Sequence, residues 1–159
     1  MGNLYYNQPE LAGNKPITMV SLSSPQTISA NTQTAVAFAT VVYDPFGSYN
    51  VGTETYTAPW GGVYRVSATL LLSNVPTAAA TPAVLEVIIQ AAGGAVAIGE
   101  LSENQSAGVA YINTVSVDIL VPLTAGQTLS IRAFITPAGT CTVAASGTST
   151  NFRVEYLQP

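Results

Sequence analysis

Between Val63 and Leu72 apolar and polar side chains alternate with a period of two. Tyr64, Val66, Ala68, Leu70 and Leu72 fall on one face; Arg65, Ser67 and Thr69 fall on the other. Such a period belongs to an extended chain with one buried face and cannot line a single stripe of a helix. The same pattern recurs. In Val84–Gln90, Leu85, Val87 and Ile89 share a face opposite Glu86 and Gln90. In Tyr111–Val121, read as the longest strand, Val115, Val117, Ile119 and Val121 oppose Ser116, Asp118 and Leu120. In Thr128–Ile135, Leu129, Ile131, Ala133 and Ile135 point inward and Arg132 outward. In Phe152–Leu157, Phe152, Val154 and Tyr156 oppose Arg153 and Glu155. Shorter strands are expected at Thr34–Tyr43, Glu54–Thr57, Thr142–Ala145 and, after a Gly93–Gly94 hairpin turn, Ala95–Leu101. No segment carries a helical period, and the alanine runs at 78–80 and 91–92 are broken by Pro or Gly. Eight to ten short, closely spaced strands predict an all-β sandwich of the jelly-roll kind.

Charge narrows the function. Only 8% of the 159 residues are charged, whereas 48% are hydrophobic. An average domain carries roughly 25% charged residues. The four cations, Lys15, Arg65, Arg132 and Arg153, are too scattered to form a nucleic-acid surface. With no histidine there is no Ser-His-Asp or Cys-His triad and no His-ligated metal. The single Cys141 excludes an intrachain disulfide framework and reads as a buried, inert thiol. Neutral polarity takes the place of charge, in 19 Thr and 13 Ser. Such a surface suits either a chain covered by partners or a stable domain that needs little charge. The isolated mid-strand charges Arg65, Glu86, Asp118, Arg132, Arg153 and Glu155 either pair across strands or subunits, or are simply solvated.

The chain divides into two parts. Residues 1–33 read as an extended arm holding Pro9, Pro16 and Pro25, with one short strand at Ile17–Leu22. Tyr5, Tyr6, Leu11, Ile17 and Val20 are its apolar candidates for anchoring a partner. Residues 34–159 read as the domain. The first 25 residues have no basic and apolar export signal, so the chain is expected to be made in a cytoplasm and not exported. Tyr6 stands where a myristoylation motif needs Ser or Thr. No uninterrupted apolar run is long enough to span a bilayer, so no membrane partner is expected.

At Tyr43–Leu70 the sequence reads YDPFGSYNVGTETYTAPWGGVYRVSATL. This resembles the signature of the C1q-like (C1q/TNF superfamily) domain, carried here by Tyr43, Tyr49, Asn50, Tyr56, Thr57, Pro59, Gly62, Tyr64 and Val66. Val66 stands where that family usually has Phe. Val115–Arg132 resembles the family's later strand–loop–strand element, and Asn151–Leu157 its closing aromatic strand. The likeness covers about residues 34–157. It implies a ten-stranded jelly roll that forms compact homotrimers, with both termini near one end. The collagen stalk of the animal members is absent, and their calcium-binding residues are not placed on this sequence. Elementary geometry gives the same residues structural roles: Gly61–Gly62 allows a tight entry into the core strand, and Pro59 and Trp60 shape the corner.

Chemistry-bearing groups are sparse. Glu100 and Glu103 form a carboxylate pair in a loop, but no aromatic cleft accompanies them, so no glycosidase is expected. Either of them, or Asp44, could offer oxygen to a cation, without the spacing of a calcium loop. Asn104–Ser106 is a glycosylation sequon with no expected route to glycosylation. No catalytic, cofactor or metal residues are assigned. Single C1q-like domains with short arms are similar to virion components of tailed bacteriophages. The expected function is therefore that of a trimeric capsid decoration (cement) protein, its arm strapped to the major capsid protein or another virion protein. The alternative is a receptor-binding tip that reads a host surface glycan or protein through loops at Asn74–Thr81, Ser102–Gly108 and Pro137–Ser149. A C1q-like adhesion or immune protein comes third.

Overall fold

The computed structural model describes residues 15–75, 83–91, 94–103, 111–136 and 139–159. These form thirteen strand segments and no helix. In chain order they are β1 (Ile17–Ser21), β2 (Gln26–Ser29), β3 (Thr34–Ala35), β4 (Thr40–Tyr43), β5 (Tyr49–Asn50), β6 (Thr55–Thr57), β7 (Gly62–Val75), β8 (Ala83–Ala91), β9 (Gly94–Glu103), β10 (Tyr111–Leu123), β11 (Thr128–Thr136), β12 (Thr140–Val143) and β13 (Asn151–Gln158). They build two antiparallel sheets. Sheet A runs β2-β12-β7-β13-β1-β4, with β10 on the other edge of β7. Sheet B runs β5-β6-β11-β8-β9, with β3 also against β11.

The alternating strands bury the faces that their periodicity assigns. On β7, Tyr64, Val66, Ala68, Leu70 and Leu72 are fully buried, while Arg65 is exposed. On β11, Leu129, Ile131, Ala133 and Ile135 turn inward, and on β13 Phe152, Val154 and Tyr156 do the same. These side chains fill one core between the sheets.

Four expectations change. First, the domain does not begin at residue 34. β1 pairs with β13 on one side and β4 on the other, from Ile17 opposite Glu155 to Ser21 opposite Asn151. Val20, expected to anchor a partner, has no exposed surface and belongs to the protein's own core. Ile17 is half-buried on the outer face of the same sheet. A short apolar strand flanked by Pro looks like a strap only while its hydrogen-bonding neighbours are unknown. Tyr5, Tyr6 and Leu11 lie outside the described residues. Second, Gln26–Ser29 is also a strand, paired with β12 from Thr140 opposite Ser29 to Val143 opposite Gln26.

Third, Thr34–Tyr43 is not one strand. β3 pairs with β11 in sheet B and β4 with β1 in sheet A, so the chain changes sheets between them. Val36 and Phe38, each 1% exposed, drop into the core at the crossing. Fourth, β7 at 14 residues exceeds β10 at 13. The ten-stranded jelly roll is present in outline, and the segments number thirteen because sheet changes and short edge pairings divide longer runs.

Gly62 opens β7 with φ of 151°. A Cβ there would lie 2.3 Å from the Gln158 carbonyl oxygen and 2.7 Å from the Tyr156 ring. Neither the backbone of β13 nor a packed ring can yield that space. Gly62→Ala is expected to cost at least ~1–3 kcal/mol, the range of overpacking. Gly61→Ala, whose Cβ would have no neighbour closer than 3.9 Å, serves as the mild control. Urea midpoints of the two variants check this.

Candidate functional site

Two of the signature tyrosines, Tyr56 and Tyr64, belong to a row of aromatic rings. Phe46, Trp60, Tyr156, Tyr64 and Tyr56 form a chain of edge-to-face rings, with successive centroids 5.3, 5.2, 5.2 and 6.1 Å apart. Such tilted contacts match ring edge to ring face. The Tyr64 hydroxyl donates to the Trp60 carbonyl at 2.8 Å and accepts from the Trp60 amide at 3.3 Å, which pins the corner around Pro59. Burial pushes the Tyr64 and Tyr56 hydroxyls above the ordinary tyrosine range, so both stay neutral. Tyr49 is buried against Phe152. Asn50 is exposed and its side-chain oxygen accepts from the Gly52 and Thr53 amides, fixing the following turn. Tyr43 alone among these tyrosines is exposed, at 52%.

Of the carboxylates read as cation ligands, Asp44 and Glu100 lie on separate parts of the fold. Asp44 accepts from the Thr18 hydroxyl at 2.9 Å and the Tyr49 amide at 2.8 Å, so it ties β1 to the start of β5. Glu100 lies on β9, directly opposite Glu86 of β8. It is part of a strand, not a loop. The side chain of Glu103 and the sequon at Asn104 lie outside the described residues. Among the described residues, no three His, Cys, Asp or Glu side chains are placed to hold a metal. Cys141 is buried opposite Ile28, and burial pushes its thiol up to about 11, far from a reactive thiolate at neutral pH.

The outer face of sheet A carries the main electrostatic feature. Strand register sets two adjacent rows across β10, β7, β13 and β1. One is Leu120–Arg65–Glu155–Ile17; the other is Asp118–Ser67–Arg153–Met19, continued by Tyr43. Arg65 grips Asp118 with Nε 3.0 and 3.1 Å from the two carboxylate oxygens and with Nη2 on Oδ2. That bond holds the Asp118 carboxyl below the usual range and raises Arg65 further. Arg153 donates to Glu155 at 3.1 Å. Alternation identifies all four as outward residues, but only the register says which of them are neighbours.

The comparisons agree with this geometry. No protein-family model and no curated protein matches the sequence. Solved structures do. The globular domain of zebrafish complement 1qA protein aligns over 91% of this chain and 98% of its own, with 18% identity and a TM-score of 0.53. Eiger TNF from S. frugiperda aligns over 90% and 92%, with 12% identity and a TM-score of 0.67. Murine APRIL aligns over 91% and 100%, with 13% identity and a TM-score of 0.64. The fold is a C1q/TNF-like jelly roll. These identities establish architecture and carry no binding residue across.

Within this C1q/TNF-like sandwich one pair works against stability. Glu86 faces Glu100 on the outer side of sheet B. Burial first, and the Glu100 charge second, raise the Glu86 carboxyl above its ordinary value. A raised carboxylate is a penalty at neutral pH that disappears as pH falls through its folded-state value. Glu86→Gln is therefore expected to stabilise the protein at pH 7 by a few tenths of a kcal/mol, about the size of one cross-strand pair. The gain should shrink towards zero by about pH 4, near the ordinary carboxylate value. Denaturant midpoints measured across that range check the sign.

Proposed function

We propose that the protein is a non-enzymatic structural component of a virion, assembled in the host cytoplasm. In this reading it is a homotrimer that decorates a capsid shell and is tied to the major capsid protein, or another virion protein, by the segment before Lys15.

The observation that supports assembly is the placement of exposed apolar side chains. Among the described residues they gather on two flanks. Val41, Val42, Tyr43, Phe46 and Val51 lie on or beside β4 and β5. Val96, Ile98, Ile112 and Leu120 lie on β9 and β10. β4 and β10 are opposite edges of sheet A, and β5 and β9 are opposite edges of sheet B. Two different sticky flanks on opposite sides favour a head-to-tail contact, which closes into a ring. C1q/TNF domains are typically trimers, which fits such a ring. The scarcity of charge suits a chain whose surface is covered by copies and by a shell.

The strap is shorter than the sequence alone implies. Ile17 and Val20 belong to the domain, so Tyr5, Tyr6 and Leu11 remain as anchoring candidates. Three such segments on one trimer raise the local concentration of each weak contact for the shell.

Light scattering should give three chain masses. Removing residues 1–14 should leave a folded trimer that no longer co-sediments with capsid shells. Removing residues 1–25 deletes β1 with its buried Val20 and should abolish folding, visible as loss of the cooperative unfolding transition. Shell binding unchanged after removal of residues 1–14 would overturn the strap. Binding to cells or a glycan array in place of shells would move the function to receptor recognition.

A further inference from the structure

We infer that the outer face of sheet B carries a binding site for a carboxylate-bearing sugar, with Arg132 of β11 as the carboxylate anchor and Gln33 and Gln90 meeting the sugar hydroxyls. The inference goes beyond the shell-binding reading and does not depend on it.

Arg132 differs from the other two arginines. Arg65 and Arg153 each hold a carboxylate of their own chain. Among the described residues Arg132 holds none. Its Nη1 donates to the Gln33 carbonyl at 3.3 Å, and its Nε is buried with no acceptor. A buried donor without a partner is costly, and a ligand that supplies the acceptor recovers that cost. The Nε and Nη2 edge is the one by which Arg65 grips Asp118. The same fork on Arg132 is therefore matched to a carboxylate approaching side-on. Gln33, exposed, is the neighbour on the solvent side, and its side chain is held by one amide bond, from Gln90 Nε2 to its Oε1 at 3.0 Å. A carboxylate meets Nη2 first and reaches Nε as the Gln33 side chain turns toward the ligand.

The position in the sheet selects the kind of ligand. β11 is hydrogen-bonded on both edges, to β6 and β3 on one side and to β8 on the other. A peptide therefore cannot add to it as a strand. Side chains alone must recognise the ligand, which favours one dense in hydroxyls. Gln33 and Gln90 use one donor and one acceptor on each other, leaving an amide nitrogen and an amide oxygen for such hydroxyls. Phe134, half-buried two residues along the same outer face, offers a ring to the carbon–hydrogen face of a sugar. A polyanion is disfavoured. Glu86 stands opposite Phe134, and Glu100 opposite Glu86. One carboxylate fits at Arg132, whereas a row of phosphates or sulfates would run into these like charges.

The test titrates methyl glucuronide and methyl glucoside, a carboxylate and its neutral counterpart, into the full chain and reads the Arg132 Nε–H signal by nuclear magnetic resonance. The glucuronide is expected to shift that signal and to bind about tenfold or more tightly than the glucoside, the size of one charged hydrogen-bonded contact. Arg132→Gln should abolish the preference, and Lys15→Gln, which removes one positive charge elsewhere, should keep it. Should Arg132→Gln fail to fold, as judged by circular dichroism, Arg132→Lys keeps the charge without the fork and should lose most of the preference. Equal binding of the two sugars, or a preference that survives in the folded Arg132 variant, overturns the site. Equal binding of an acetylated and amidated Gly-Glu-Gly peptide overturns the sugar class. Co-sedimentation with shells is expected to be unchanged in Arg132→Gln; its loss would assign Arg132 to the shell contact and overturn the inference. Failure to bind sugar leaves the strap and the trimer untouched.

Discussion

Strand β7 is the constraint that the rest of sheet A obeys. It is hydrogen-bonded on both edges: to β10 along its whole length, and on the other side to β13 and then β12. Its inner face, from Tyr64 to Leu72, has no exposed surface. A strand so placed cannot slip by one residue, because a slip would turn Val66, Ala68 and Leu70 outward and bring Arg65 and Ser67 into the core. Gly62 fixes the register at the start of β7 by its close approach to Gln158, and the pairing of Leu72 with Val143 fixes it near the end. The rows of charge on the outer face inherit their alignment from that register.

Much of this was legible in the sequence, because burial of a strand face follows directly from a period of two. The faces of β7, β10, β11 and β13 could be written down residue by residue. What was not legible depends on pairing between distant segments. Nothing local in Ile17–Leu22 distinguishes a strand that joins its own sheet from one that would join a partner's. The burial of Val20 against sheet neighbours some 130 residues away is a tertiary fact. The break at Val36–Phe38 is similar: all of Thr34–Tyr43 favours extended chain, and only the need to pass between sheets interrupts it.

The same division holds for the candidate site. Arg65, Asp118, Arg153 and Glu155 were each readable as outward, yet their pairing on two adjacent rows was not. Asp44 read as a stray oxygen ligand in sequence and is a structural tie between Thr18 and Tyr49. Glu100 read as part of a loop pair with Glu103, but its neighbour is Glu86. With so few charges in the chain, each that stays on a strand face acquires a specific partner or antagonist. That explains why the electrostatics of this fold reduce to a handful of contacts.

The pairing of β1 with β13 has a mechanical consequence. Ile17 and Glu155 are opposite each other, and Lys15 reaches the carbonyl of Leu157 at 3.0 Å, so the first and last described strands leave the sandwich side by side. A pull between those two ends would load the hydrogen bonds of this ladder one after another, like a zip. A pull between the β1 end and the far end of β7 would instead load many strand contacts at once, in shear. The domain is thus weak to a pull between its two ends and strong to a pull along β7.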